Sequence, residues 1–184
     1  MEDVKPRTLT IRSAMPSDYE YCLGLDHTVS TEHVWQMVLD ESEGTLQIAF
    51  RTARLPRSTK VLYPRSGEAL VRSWELHAAF LVALWDDVVV GYVNVREESA
   101  QQTAWVADLA VDRSYRLRGI GTALINAVRR WAIDRNLRRL IVETQTKNYP
   151  AIRFLQKRGL VFCGYNDLYY PSQDIAVFFG QILL

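Results

Sequence analysis

The residues best suited to chemistry form one short run, Arg116-Leu117-Arg118-Gly119-Ile120-Gly121-Thr122. Two glycines one residue apart, at the start of a helix and preceded by two arginines, are the chemistry of anion capture. The first N–H groups of a helix have no partner inside it, and the helix dipole adds positive potential there. Glycine lets a phosphate approach the backbone without meeting a Cβ. The residues after the run spell out the helix: Ile120, Ala123, Leu124, Ala127, Val128, Trp131 and Ala132 fall at i, i+3, i+4, i+7 spacing. An apolar, strand-like segment, residues 105–111, leads into the run. A strand turning through small residues into a helix is a natural pyrophosphate seat, so a phosphate-bearing cofactor is expected. The spacing is neither Gly-x-x-x-x-Gly-Lys-Ser/Thr nor Gly-x-Gly-x-x-Gly, which sets aside the nucleotide P-loop and the dinucleotide turn.

Two carboxylates, Asp108 and Glu143, lie in or beside apolar strands. A carboxylate at the end of an otherwise buried strand suits proton abstraction. The alternatives are an ion pair for Glu143, with Arg139 or a helix arginine, and a structural or substrate-amine contact for Asp108. Cys22 and Cys163 are too few for a disulfide framework, and His27, His33 and His77 are scattered. No metal-ligand spacing is present, so no metal is expected, and the histidines read as surface or packing residues.

Leu109-x-Val111, Tyr115-Arg116-x-x-Gly119-Ile120-Gly121 and Ala123-Leu124 together resemble the acetyl-CoA signature of the GNAT superfamily of N-acetyltransferases. The resemblance implies acetyl-CoA as cosubstrate, with the pyrophosphate wrapped by Arg116, Arg118, Gly119, Ile120, Gly121 and Thr122. It implies that backbone amides of Leu109, Ala110 and Val111 face the oxyanion, and that Asn148 belongs to the cofactor side. Val142-Glu143-Thr144-Gln145, followed by Asn148-x-x-Ala151, resembles both the streptothricin acetyltransferases and the ribosomal-protein alanine N-acetyltransferases. In the second group the strand glutamate is the base, which implies that role for Glu143, with Asp108 beside it.

One position departs from the family. The short helix after Asn148 normally carries a tyrosine that protonates the leaving thiolate, and here that position is Leu155. Either Tyr149, Tyr169 or Tyr170 serves, or the thiolate leaves unassisted, as a thiol of pKa near ~8.5 permits, or activity is lost and cofactor binding remains. Tyr169 and Tyr170 also suit the wall of an acceptor pocket, or strand packing with a wet hydroxyl. The resulting expectation is acetyl transfer to a primary amine of a small molecule of the streptothricin type. A protein N-terminus is the second acceptor class, and a weakly active acyl-CoA-binding regulatory module is the third reading.

The elements that must position these groups read as mixed α/β, a mostly antiparallel central sheet flanked by helices in a single domain, residues 1–184. Residues 9–12 suggest a first strand and Pro16-Ser17-Asp18 a capped helix start. A second helix is expected from Ser30-Thr31, with Val34, Met37 and Val38 on one face. Leu46, Ile48 and Phe50 alternate as a strand, and residues 54–72 read as a long irregular loop that could shape a pocket. Residues 80–85 and 88–95 form a hairpin about Asp86-Asp87. Strands are expected at 105–111, 139–144, 160–165 and 175–183, with a short helix opened by Asn148 and Pro150 and ended by Gly159. The 184 residues carry a net charge of +1, with 48% hydrophobic and 23% charged residues, as in ordinary globular domains. That balance argues against a globally basic nucleic-acid binder. No apolar run reaches membrane-spanning length, and the first residues lack a signal-peptide pattern. A cytoplasmic protein without nucleic-acid or membrane partners is expected, with room for a homodimer.

Overall fold

A computed structural model describes residues 8–183; the first seven residues, where the expected lack of a signal pattern falls, lie outside that range. The elements are β1 (Leu9–Ser13), α1 (Asp18–Leu23), β2 (Val29–Ser42), β3 (Thr45–Val61), α2 (Glu68–Glu75), β4 (Ala79–Trp85), β5 (Val88–Glu98), β6 (Thr103–Val111), α3 (Ile120–Asp134), β7 (Arg139–Gln145), α4 (Tyr149–Lys157), β8 (Val161–Asn166) and β9 (Ala176–Ile182). The strands are hydrogen-bonded in the order β1-β4-β5-β6-β7-β9-β8, with β2–β3 a separate ribbon. The pairs β1–β4, β4–β5 and β5–β6 are antiparallel and β6–β7 is parallel. The mixed, mostly antiparallel sheet is as expected. The chain divides into two compact units, one ending at His27 and resuming over Ser66–Glu143 and from Gly180, the other comprising Thr28–Arg65 and Thr144–Phe179.

In the first unit the helical stripe does what its spacing demands. Ile120, Leu124, Ile125, Val128 and Ala132 of α3 are buried, and the helix packs on β6, β5, β4 and β1. An aromatic cluster completes the core: Phe80 and Tyr92 stack at 5.2 Å, and Trp74 meets them edge-on at 5.2 and 5.1 Å. The hairpin turn has both Asp86 and Asp87 left-handed, the geometry that suits a two-residue connection. Ser17 makes no side-chain cap on α1. Asp18 instead turns back, accepting from Met15 N–H at 2.7 Å and from the Arg12 guanidinium at 2.6 and 3.0 Å. The Arg12 guanidinium holds that carboxyl below its ordinary value.

Gly91 shows a requirement that no motif announces. It pairs with Val111, and a Cβ built there would stand 2.8 Å from the Ala110 carbonyl oxygen. The end of β6, where the proposed cofactor loop begins, therefore packs directly on the β5 backbone. Gly91→Ala is expected to cost about 1–3 kcal/mol of stability, the usual range for overpacking, and to weaken acetyl-CoA binding as β6 is displaced. Denaturant unfolding and calorimetry check both; an unchanged midpoint would show that the strand end can yield.

The second unit corrects two expectations. Residues from Ser30 do not form a helix; they form β2, paired with β3 from Val29↔Val61 to Ser42↔Thr45. Val34, Met37 and Val38 fit a helical stripe, but Trp35, Met37 and Leu39 also alternate. The alternation prevails because Phe50 and Ile48 stand opposite Met37 and Leu39, and the cross-strand pairs supply the stabilisation. Trp35 and Phe50 stack at 5.7 Å, with Phe162 5.4 Å from Phe50 and Phe179 5.6 Å from Trp35. Nor is 54–72 a continuous loop, since β3 extends to Val61 and α2 begins at Glu68. Pro56 is tolerated because it falls where the register breaks, between His33↔Arg54 and Thr31↔Thr59.

Candidate active site

The loop between β6 and α3 forms from local chemistry. Asp112 caps a short 3-10 turn, Arg113–Tyr115, by accepting from Ser114 N–H at 3.0 Å, and it also accepts from Asp26 N–H at 3.1 Å. Burial pushes the Asp112 carboxyl up, but the Ser114 hydroxyl, which donates to the same carboxylate, and these backbone donors outweigh it and hold the carboxyl below its ordinary value. Leu117 and Gly119 are left-handed, with φ of 63° and 83°. Such alternation turns successive N–H groups toward a common concavity. Gly119 is the N-cap of α3, and the helical ladder begins with Ala123 N–H donating to Gly119 C=O at 3.0 Å. The amides of Ile120 and Gly121 precede that first rung, at the positive end of a 15-residue helix. The backbone therefore fits a pyrophosphate.

The two arginines of the run have protein contacts as well. Arg116 Nε donates to Val111 C=O at 2.8 Å, and its Nη2 donates to Asp26 C=O at 2.9 Å. It thereby ties the loop to the strand end and to the segment after α1. The Arg118 guanidinium lies 5.1 Å from the Tyr115 ring centre and 5.6 Å from that of Trp85. It lines a cleft of about 410 Å³ with Trp85, Asp86, Ser114 and Tyr115. Close beside this loop, His27 has Nδ1 2.7 Å from Leu25 C=O and Nε2 3.0 Å from the Tyr92 hydroxyl. Since a carbonyl only accepts, Nδ1 carries the proton and Nε2 accepts from Tyr92. Burial lowers the His27 pKa, in keeping with a packing histidine.

Upstream of the loop the sheet opens. The parallel register of β6 with β7 runs from Thr103↔Arg139 to Val106↔Val142 and stops there. Leu109, Ala110 and Val111 continue in register with Val93, Tyr92 and Gly91 of β5. Glu143 is the next β7 residue past the last one paired with β6, and only 8% of it is exposed. Trp105 Nε1–H donates to Glu143 Oε2 at 2.7 Å. Asp108 is 1% exposed and accepts from Ser73 Oγ–H and Asn94 Nδ2–H, each at 2.8 Å. Arg96 Nη2 in turn donates to Ser73 Oγ at 3.1 Å. Asp108 thus stands in a buried polar network, and Glu143 at the point where the strands part.

The remaining expected residues belong to the second unit. Asn148 caps α4, its Oδ1 accepting from Ala151 N–H at 3.2 Å. Leu155 is 1% exposed and Ile152 is fully buried, so the position lacking the family tyrosine is core. Tyr149 lies 5.3 Å from the His33 ring. Tyr170 is buried, 5.1 Å from Tyr169, with the Arg65 guanidinium 5.2 Å from its ring centre. These two tyrosines sit in the turn between β8 and β9 rather than in a strand. The sequence leaves Trp105 as core or pocket wall, without a hydrogen-bonding role, and does not mark Asn94, Asp112 or Gly91 as site-building residues. Asp112-x-Ser114 was the only legible signal among them, an Asx cap ahead of the loop. Among the described residues no group of three His, Cys, Asp or Glu could hold a metal, and no helix is long and apolar enough to cross a membrane.

Comparison with known proteins accords with this geometry. Residues 45–160 match the acetyltransferase (GNAT) family profile. Streptothricin acetyltransferase A of Bacillus subtilis is 30% identical over 105 residues, 55% of this chain and 60% of that protein. The streptothricin acetyltransferase of Streptomyces lavendulae is 26% identical over 170 residues, 90% of this chain and 88% of that protein. An N-alpha-acetyltransferase of Saccharolobus solfataricus is 34% identical over 94 residues, 45% of this chain and 56% of that protein. The alignments thus span less than two thirds of the first and third of these relatives. The crystal structure of nourseothricin acetyltransferase superposes with a TM-score of 0.82 at 23% identity, covering 96% of this chain and 99% of that one, a likeness of fold.

Proposed function

Since the chain belongs to the GNAT family of acetyltransferases, we propose that it transfers the acetyl group of acetyl-CoA to a primary amine of a small molecule of the streptothricin class. The observation that carries this reading is the parting of β6 and β7 beside Glu143, upstream of the helix-capped loop. Acetyl-CoA supplies a thioester-bound acetyl group. In the proposal the amides of residues 119–122 hold its pyrophosphate, with Arg116 and Arg118 adding positive charge. Glu143 takes the proton from the acceptor ammonium, directly or through a water, which makes the amine a nucleophile. The amides of Leu109, Ala110 and Val111 face the carbonyl oxygen as charge develops on it. Asp108 braces β6 through Ser73 and Asn94. With Leu155 buried, the thiolate leaves without help from that position. The reading treats the chain as one metal-independent domain working in the cytoplasm.

A second reading, acetylation of a protein N-terminus, is favoured by the N-alpha-acetyltransferase relative. An acceptor screen with acetyl-CoA and free-thiol detection separates the two. Turnover on streptothricin or small polyamines, with peptides inert, is the expected outcome. Turnover on a peptide alone would select the N-terminal reading, and acetyl-CoA binding without turnover on any acceptor would mark a regulatory module.

A further inference from the structure

We infer that Trp105 is a positioning residue, whose indole N–H holds Glu143 in the orientation from which it takes the acceptor's proton. The inference rests on the reading of Glu143 as the base. Trp105 stands opposite Ile141 across the parallel pair, and its ring reaches forward along the sheet to Glu143, two residues on, at 2.7 Å. The register with β6 ends one residue before Glu143, so pairing with β6 does not set where the carboxylate points. The indole supplies a fixed direction in its place.

A bulge makes this arrangement possible. Asn94 pairs with Asp108 while Val95 pairs with Val106, so β6 carries one additional residue, Ala107. In a regular strand Trp105 and Asp108, three apart, would project from opposite faces. The extra residue puts them on the same face. Ile141 and Glu143 share that face too, being two apart with Ile141 opposite Trp105. Asn94 and Arg96 come from β5 and Ser73 from α2. The two carboxylates are then held by separate donors, Asp108 by Ser73 and Asn94, and Glu143 by Trp105.

Tryptophan suits the task chemically. Its Nε1–H donates and cannot accept, so it orients a carboxylate without competing for the proton that the carboxylate removes. A lysine or arginine in its place would bring a full positive charge against an incoming ammonium. The ring is itself half-buried. A base must lie within hydrogen-bond reach of its proton, and a displacement of roughly 1 Å can cost about 10²-fold in rate.

The test removes the N–H and keeps a ring. With the best acceptor from the screen, Trp105→Phe is expected to lower kcat about tenfold, an effect of misplacement short of losing the base. Acetyl-CoA affinity should be unchanged. In a Glu143→Gln background, where there is no base to orient, Trp105→Phe should have no further effect. Unaltered kcat in the single variant would overturn the inference. So would losses that multiply in the double variant. Near-normal turnover by Glu143→Gln alone would overturn the base assignment first, a separate result; no turnover of the unaltered protein on any acceptor would overturn both.

Discussion

Glu143→Gln is expected to depress the maximal rate of acetyl transfer by roughly 10²-fold, the usual size of a general-base contribution. The substitution keeps the shape of the side chain and keeps an oxygen to accept the Trp105 indole, so the hydrogen bond at 2.7 Å survives in kind. What is lost is the capacity to take a proton from the amine. Glu143 lies on β7, past the last residue paired with β6, while residues 119–122 belong to the loop and helix that follow β6, so acetyl-CoA affinity should barely move. Steady-state kinetics from pH 6 to 9, paired with calorimetry, check both halves. If the variant kept near-normal turnover throughout, the role would pass to water or to Asp108. Asp108 is the poorer candidate because it is 1% exposed and already accepts from Ser73 and Asn94.

Gly121→Asp is expected to reduce acetyl-CoA affinity at least about tenfold by placing a Cβ and a negative charge where a phosphate must approach. The protein should remain folded. Gly121 is the second residue of α3 and is not buried, and an aspartate in the first turn of a helix is favourable toward its dipole. Binding and stability should therefore separate, with weaker binding at an undiminished unfolding midpoint. Calorimetric titration with acetyl-CoA would sink the loop assignment if affinity were unchanged.

The turn from β6 into α3, proposed to hold the cofactor, was legible because its determinants are local. Gly119 is called for by a left-handed N-cap, the stripe beginning at Ile120 by a helix with one buried face, and Asp86-Asp87 by a tight turn of left-handed residues. Each lies within a few residues of what it determines. Glu143 stands out in the sequence for a different reason, as a carboxylate near the end of an apolar strand.

The ribbon of β2 and β3 was not legible in the same way. The stretch with Val34, Met37 and Val38 satisfies two periods at once, and the choice is made by Ile48 and Phe50 across the ribbon. The basic, proline-containing segment beyond residue 54 has no period of its own. It becomes strand because β2 supplies the hydrogen bonds, with the register break falling around Pro56.

The sequence by itself determined the glycine-containing loop proposed to hold the cofactor, the helix behind it and the residue types available for proton transfer, because short-range spacing suffices for turns, caps and amphipathic faces. Tertiary structure alone decided which of those groups is placed to act. Asp108 and Glu143 look alike in the chain. A bulge at Ala107 and the end of the β6–β7 register bury the first among Ser73 and Asn94 and leave the second at the opening, against an indole 38 residues earlier. Contacts at such separations depend on register between strands, and register is fixed by the whole sheet rather than by any one segment of it.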